Sequence, residues 1–491
     1  MNLNTVHFSD IFCALAESHP QRVAIEARNL SLTFRQLISW SSAYSQQLQM
    51  KGIQKGDRVG IVLRDNSHAL VALIALWMID AVPVPFDFRT KNERLSTLAQ
   101  AFGIRFMVRD NHSGNSEHFV MIPFEASWIS DEDEYVEPPA LTHDESVPAL
   151  VVLTSGTTGS PKGIVIDHDR LLFRVLHPLK IGELDTSGKL LNPILLSFPL
   201  AIHNVIGHLV RGGTVVMFPV IYSTAELAEA IIQKDITSVC LVPTLVRNLL
   251  DFFPNQKRPA FPNLRMMYCS GAPLAESDKL AAREILTENF LELFANSVSG
   301  RISMLEFDDM ADHSDTVGRV LPEVRIQIVD KNLNPLPTGQ VGLIRVRGPG
   351  MAREIIVDAE SARTGDNIEN GWIYTGDLGS LNDQRFLKLA GRDSEVIIRN
   401  GENIYPAEIE NVIIKIQGVK AAAVIGYQSG REDEKIAAFV VSDKNITEQD
   451  IFLAFRSSVV PNKHPNKIIF LEELPQNQNG KINKIALAEF I

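Results

Sequence analysis

The sequence is poor in cysteine and has no excess of positive charge. Cys13, Cys240 and Cys269 are the three cysteines in 491 residues, odd in number and far apart. They form neither a disulfide framework nor a zinc-ligand spacing, which fits a reducing compartment. Acidic residues outnumber basic ones, 59 to 47, for a formal net charge of −12. Nucleic-acid binding needs a basic surface to displace counterions, so that class is set aside. Small anionic ligands need only local positive charge. Uninterrupted apolar runs are also missing. The longest, around "ALVALIALWMIDAVPVPF", is broken by Asp80, Pro83 and Pro85 and reads as a buried helix entering a strand, not as a membrane span. The N-terminal "MNLNTVHFSD" lacks a basic segment followed by an apolar run, so no signal peptide is read and the cytoplasm is the expected location.

What is present is the composition of a globular protein: 45% hydrophobic, 22% charged and 7% aromatic. The length exceeds what one core usually supports, so two or more domains are expected. "FSDIFCALAESHP" has the apolar spacing of an amphipathic helix and "DRVGIVLRD" that of a short buried strand, and this alternation continues through the first 140 residues. It predicts a layered α/β unit with a substantially parallel sheet. A second α/β unit begins at "ALVVLTSGTTG" and runs through "GGTVVMFP", "ITSVCLVP" and "LRMMYCSGAPL". From about residue 316, "VRIQIVD", "GLIRVRG" and "RFLKLAG" predict an antiparallel β region. After "AGRDSE" a strand, a loop and an amphipathic helix restart the chain, enough for a small α+β domain.

"LTSGTTGSPKGIVIDH", residues 153–168, is the densest cluster of small hydrogen-bonding residues. A strand ending in Gly, Ser and Thr can converge backbone N–H groups and hydroxyls on an anion, and Lys162 adds positive charge. The alternative is a glycine-rich surface turn. It is not a Walker loop, because Ser160 and Pro161 separate Gly159 from Lys162.

The spacing instead resembles the phosphate loop of the adenylate-forming superfamily: acyl- and aryl-CoA synthetases, peptide-synthetase adenylation domains and luciferases. Four further strings resemble its motifs in order: "SGAPL" at 270–274, "GWIYTGDLG" at 371–379, "GRDSEVIIRNGENIYPAEIE" at 391–410 and "LPQNQNGKINK" at 474–484. The resemblance implies a large N-terminal domain of two packed α/β sheets plus a small β region, followed by a small mobile α+β C-terminal domain. Residues 1–391 (β-rich about 316–391) and 392–491 are the corresponding boundaries.

The implied reaction joins a carboxylate to the α-phosphate of ATP, releases pyrophosphate, and passes the acyl group to a thiol. That thiol belongs to CoA or to the phosphopantetheine of a separate carrier protein. By this resemblance Thr154, Ser155, Gly156, Thr157, Thr158, Gly159 and Lys162 hold the polyphosphate. Ser270, Gly271, Ala272 and Pro273 form the adenine turn, with Phe294, Ala295 and Asn296 beside it and Ser297 on the adenylate phosphate. Asp377 matches the ribose diol with its two oxygens, and Arg392 contacts the ribose. Lys481 lies between the carboxylate and the α-phosphate, offsetting charge that develops in the transition state. Ser394 is the hinge, and Gly401, Glu402 and Asn403 face the thiol. Each also has a structural alternative: a turn residue for Asp377, an exposed ion pair for Arg392, a surface lysine for Lys481.

His203 and Asn204 lie where the family forms one wall of the acid pocket. The aspartate that pairs an amino-acid ammonium is missing there, so an α-amino acid is disfavoured. A hydrophobic, aryl or short-to-medium acyl substrate is expected, with a core histidine as the alternative for His203.

Two departures stand out. Val298 replaces the family glutamate that helps hold Mg²⁺, and valine cannot ligate a hard cation. Lys484 replaces an arginine, keeping charge but losing the planar fork. Transfer to an amine, or a degenerate nucleotide-binding protein, are the competing readings.

Overall fold

The computed structural model describes residues 7–110, 117–128, 135–139, 143–144, 146–154, 162–176, 188–254, 256–356, 368–399, 402–428, 434–442, 446–458, 461–476 and 482–491. Its spine is a nine-stranded sheet. In spatial order the strands are Arg319–Val320, Gly300–Leu305, Phe290–Asn296, Met266–Ser270, Ile236–Leu241, Lys189–Asn192, Thr214–Met217, Val23–Ala27 and Leu30–Thr33. Inner neighbours are parallel, as crossover connections require, and both edges are closed by antiparallel pairs. A four-stranded parallel sheet, Val82–Pro85, Arg58–Val62, Ile104–Arg109 and Val120–Pro123, forms the second layer.

Helix Asn66–Met78 packs within this body. Its apolar residues occur on every side, so the helix is buried nearly all round. Asp65 starts it by accepting from Ser67 N at 2.7 Å and His68 N at 3.2 Å. At the other end Trp77 Nε1 donates to Ala149 O at 2.6 Å, tying the helix to the chain entering the glycine-rich loop. Burying each of Leu70, Leu73, Ile74 and Trp77 contributes on the order of 2 kcal/mol.

The antiparallel region is present as Arg325–Val329, Gly342–Arg347, Trp372–Leu381 and Ile368–Glu369, with Leu387–Arg392 paired to the third of these. Two short strands of the same stretch serve other sheets. Arg319–Val320 ends the nine-stranded sheet, and Glu354–Ile356 buries Ile355 and Ile356 while extending the hairpin Leu150–Thr154/Lys162–Ile166. Beyond Arg392 come the hairpin Ile397–Arg399/Glu402–Ile404, helix Pro406–Ile414 and the sheet Val419–Tyr427, Lys435–Ser442, Lys467–Phe470, with their own apolar core. The fold is therefore mixed α/β with a large N-terminal and a small C-terminal part. Among the described residues no helix is long and apolar enough to cross a membrane.

Candidate active site

Ser270 and the Phe294–Asn296 stretch lie at the carboxyl edge of the nine-stranded sheet, where open α/β sheets place ligands. Ser270 ends its strand there, buried, and its Oγ donates to Leu293 O at 2.8 Å. The turn that follows begins at Gly271, with φ of +98°. A buried ion pair fixes that turn from beneath. Glu292 Oε1 accepts from Leu274 N at 3.0 Å, and Lys279 Nζ reaches Glu292 Oε2 at 2.6 Å and Thr316 O at 2.7 Å. Burial raises the Glu292 pKa and Lys279 opposes it.

The next strand delivers Phe294, Ala295 and Asn296 to the same edge. Asn296 Nδ2 donates to Thr375 O at 3.1 Å, joining this strand to the antiparallel unit. Thr375 also receives Arg392 Nη1 on its carbonyl at 3.3 Å and Asp377 N on its hydroxyl at 3.1 Å. Asp377 and Arg392 are register partners, and Arg392 Nε lies 3.0 Å from Asp377 Oδ1. The structure thus brings Asn296, Asp377 and Arg392 together from two different sheets.

Ser297 and Val298 form a turn held by a residue that sequence reasoning missed. Arg174, 1% exposed, donates to Ser297 O at 2.9 Å, Val298 O at 2.9 Å and Gly350 O at 2.6 Å. Burial, then Arg170, lowers its pKa to about 9. The turn ends at Gly300, where φ is +80° and a Cβ would meet Arg174 Cγ at 3.2 Å and Gly350 O at 3.3 Å. The available signal was an arginine set among apolar residues in "RLLFRVL".

His203 and Asn204, the residues expected at an acid pocket, sit on helix Pro199–Leu209, which packs against helix His168–Leu176 carrying Arg174. Gly207 permits the contact, since a Cβ there would lie 2.8 Å from Val175 O. Arg211 then covers two carbonyls at the neighbour's C-terminus, Val175 O at 3.0 Å and Leu176 O at 2.8 Å. Asn204 is buried, with its Oδ1 accepting from the Tyr268 hydroxyl. Burial, followed by Arg174 and Arg301, pushes the His203 pKa well below its ordinary value, so the ring is neutral.

Sequence profiles match both parts of the chain: the AMP-binding enzyme profile over residues 12–356, and the AMP-binding enzyme C-terminal domain profile over 408–481. The chain belongs to the AMP-binding enzyme family. It is 26% identical over 474 residues to a 2-succinylbenzoate–CoA ligase of Bacillus cereus, covering 96% of each chain. It is 27% identical over 492 residues to the fatty acid–[acyl-carrier-protein] ligase ScoC of Streptomyces coeruleorubidus, covering 95% of this chain and 93% of that one. The solved o-succinylbenzoate CoA synthetase of Bacillus subtilis, in complex with its acyl-adenylate intermediate, superposes with a TM-score of 0.85 at 23% identity over 97% of each chain. That likeness is one of fold.

In this AMP-binding enzyme, Thr154 and Lys162 are register partners at the mouth of a hairpin. Ser155, Gly156, Thr157, Thr158 and Gly159 between them, Gly401 and Lys481 lie outside the described residues. Ser394 is exposed on the 3₁₀ turn Asp393–Glu395, and Glu402 and Asn403 are exposed on a hairpin strand. Lys484 Nζ bridges Glu395 at 2.7 Å and Glu410 at 2.8 Å, tying the start of helix Lys484–Leu487 to the hinge turn and to helix Pro406–Ile414. An ammonium with three donors suits two carboxylates on separate elements, so the change from arginine is accommodated.

Val298 is buried among apolar side chains, and its isopropyl group offers no ligand to Mg²⁺. The residues present do not fit the family's metal at this position. Donors of metal type do meet elsewhere among the described residues: ligand atoms of His7, Asp80 and His143 lie within 4.8 Å of one another. The His7 and His143 rings, however, stack with centroids 3.7 Å apart and planes 5° apart. Their in-plane lone pairs run parallel and do not converge on one ion. Asp80 Oδ1 instead lies 2.9 Å from His143 Nδ1 and 3.5 Å from His7 Nε2. This cluster ties the first helix to the body.

Proposed function

We propose that this protein activates a carboxylic acid with ATP, forming an acyl-adenylate and pyrophosphate, and then transfers the acyl group to a thiol. The observation that carries the reading is the meeting of the Asp377–Arg392 pair with Asn296 and the Ser297–Val298 turn, at the sheet edge beside Ser270. A carboxylate answering a ribose diol, next to a turn for the α-phosphate, suits adenylate chemistry better than phosphoryl transfer to a hydroxyl. Bringing two anions together is mainly positioning and charge neutralisation. Lys481 supplies the cation, carried on a domain of residues 392–491 that pivots near Ser394 over residues 1–391. Relatives named as a CoA ligase and as an acyl-carrier-protein ligase support a thiol acceptor, and CoA and carrier-bound phosphopantetheine both remain within the reading.

Val298 favours a second reading, a nucleotide-binding protein without turnover. Pyrophosphate release from ATP and Mg²⁺ across a panel of acids, with hydroxylamine as acceptor, separates the two. Release with an acid supports adenylation; ATP binding without release from any acid supports the second reading. Lys481→Ala is expected to lower release about a hundredfold to a thousandfold while ATP still binds. Turnover of that variant at the parental rate would remove Lys481 from the chemistry.

A further inference from the structure

Helix Pro199–Leu209, which carries His203 and Asn204, is not wholly apolar on its buried side. The Tyr268 hydroxyl donates to Asn204 Oδ1, which turns the amide nitrogen away from the phenol. That Nδ2 is buried with no oxygen or nitrogen partner, facing only the Cys240 thiol, and the buried Nε2 of the preceding His203 has no hydrogen-bond partner. Burial of such donors without an acceptor forfeits their hydration and returns nothing. The neutral imidazole carries one N–H; with that hydrogen on Nε2, His203 and Asn204 each offer a donor.

The surroundings are electropositive. Arg174 and Arg301 are 1% and 8% exposed, and both act on His203. Arg301 also acts on Arg211. Tyr268 and Cys240 are held protonated by burial, the thiol pushed up to about 12. Arg174 spends its donors on three backbone carbonyls, which take its hydrogen bonds and leave its charge in place. An ammonium would be repelled here, and an alkyl or phenyl group would leave both donors unanswered. A carboxylate answers both, with two oxygens and one negative charge.

We propose that the acid activated by this enzyme is a dicarboxylic acid, whose second carboxylate accepts from Asn204 and His203 in the field of Arg174 and Arg301. The proposal rests on the adenylation reading, and it assigns the substrate class. The carboxylate that reacts loses its charge on forming the adenylate, so it leaves that field unanswered in the intermediate. A second carboxylate remains charged through both half-reactions.

The test uses the full chain with ATP, Mg²⁺ and hydroxylamine, measuring pyrophosphate release with matched acids: glutarate against pentanoate, phthalate against benzoate, and glutarate against its monoamide. In at least one pair the dicarboxylate is expected to lead in kcat/KM by about tenfold to a hundredfold, the range for hydrogen bonds to a charged group. Asn204→Asp keeps an acceptor for Tyr268 and adds a negative charge, so it is expected to reverse that preference. Monoacids equal to or better than diacids in every pair would overturn the inference and leave adenylation standing. So would a preference unchanged in the variant. Release with no acid, while ATP binds by calorimetry, would overturn the adenylation reading and this inference with it. If Asn204→Asp fails to fold, the matched pairs on the parent protein decide alone.

Discussion

Two buried clusters of nitrogen bases sit in the same body and are answered differently. At the N-terminal side, the His7 ring lies between those of His143 and His168, and His7 and His143 face Asp80, whose second oxygen also takes Asp144 N at 3.1 Å and lies 3.9 Å from Lys55. The chain supplies that cluster with its own carboxylate, although His7 Nε2, 3.5 Å from Asp80 Oδ1, makes no hydrogen bond, and the cluster holds the first helix in place. At the acid-pocket side, Arg174 is met by backbone carbonyls, and His203 and Asn204 keep buried donors without acceptors. A cluster closed by its own anion is structural. One stabilised by dipoles alone keeps its positive field for a ligand.

The comparison breaks most directly at Arg174. Replacing it with methionine preserves much of the volume and leaves three buried carbonyl oxygens without this donor. Loss of about 3–5 kcal/mol of stability is expected, read from the shift of a urea midpoint. Arg174→Lys recovers part of that loss at best, because one ammonium cannot reproduce the planar fork across carbonyls of two segments. A methionine variant as stable as the parent would mean that the turn at Ser297 is held by something else.

The Asp377–Arg392 pair lies between the two cases: the carboxylate side chain is 10% exposed and the arginine 39%. It is closed by the chain yet open on one side, as a residue shared with a ligand should be. Asp377→Ala is expected to lower kcat/KM for ATP by about thirtyfold to a hundredfold, the value of a hydrogen-bonded charged group. The loss should appear mainly in KM for ATP and hardly in KM for the acid. A loss confined to the acid would place Asp377 away from the nucleotide.

How much of this was legible follows from how each part is encoded. The glycine-rich hairpin ends, "SGAPL" and "YTGDLG" are contiguous strings whose chemistry is local, and Asn296, Asp377 and Arg392 share one hydrogen-bonded group, with Ser270 on the strand beside that of Asn296. The helix Asn66–Met78 was readable from its long apolar run and the antiparallel region from its short runs of strand formers, for the same reason. Arg174 was not readable, because its partners are backbone atoms more than 100 residues away, and the Lys279–Glu292 pair joins two elements with no sequence signature linking them. The hydrophobic acid pocket was inferred from the missing aspartate at 202–204. Arg301, on a strand of the main sheet, is a neighbour of His203 that the sequence does not reveal.

The smallest effect tests the closed cluster. Burial, reinforced by His168 and His143, lowers the His7 pKa to about 2, and burial with His143 lowers His168 to about 3. Both folded values lie below the ordinary 6.5, so between them and 6.5 the unfolded chain binds protons that the folded chain refuses. Stability from this source is fully present above pH 6.5 and is lost as pH falls through that window. At pH 5 each histidine accounts for at most about 2 kcal/mol of the loss. His7→Gln should therefore narrow the gap between urea midpoints measured at pH 7.5 and pH 5.0, whatever it does to stability at the higher pH. An unchanged gap would mean that the cluster already takes up a proton while folded. The cluster would then be less firmly closed than its geometry indicates.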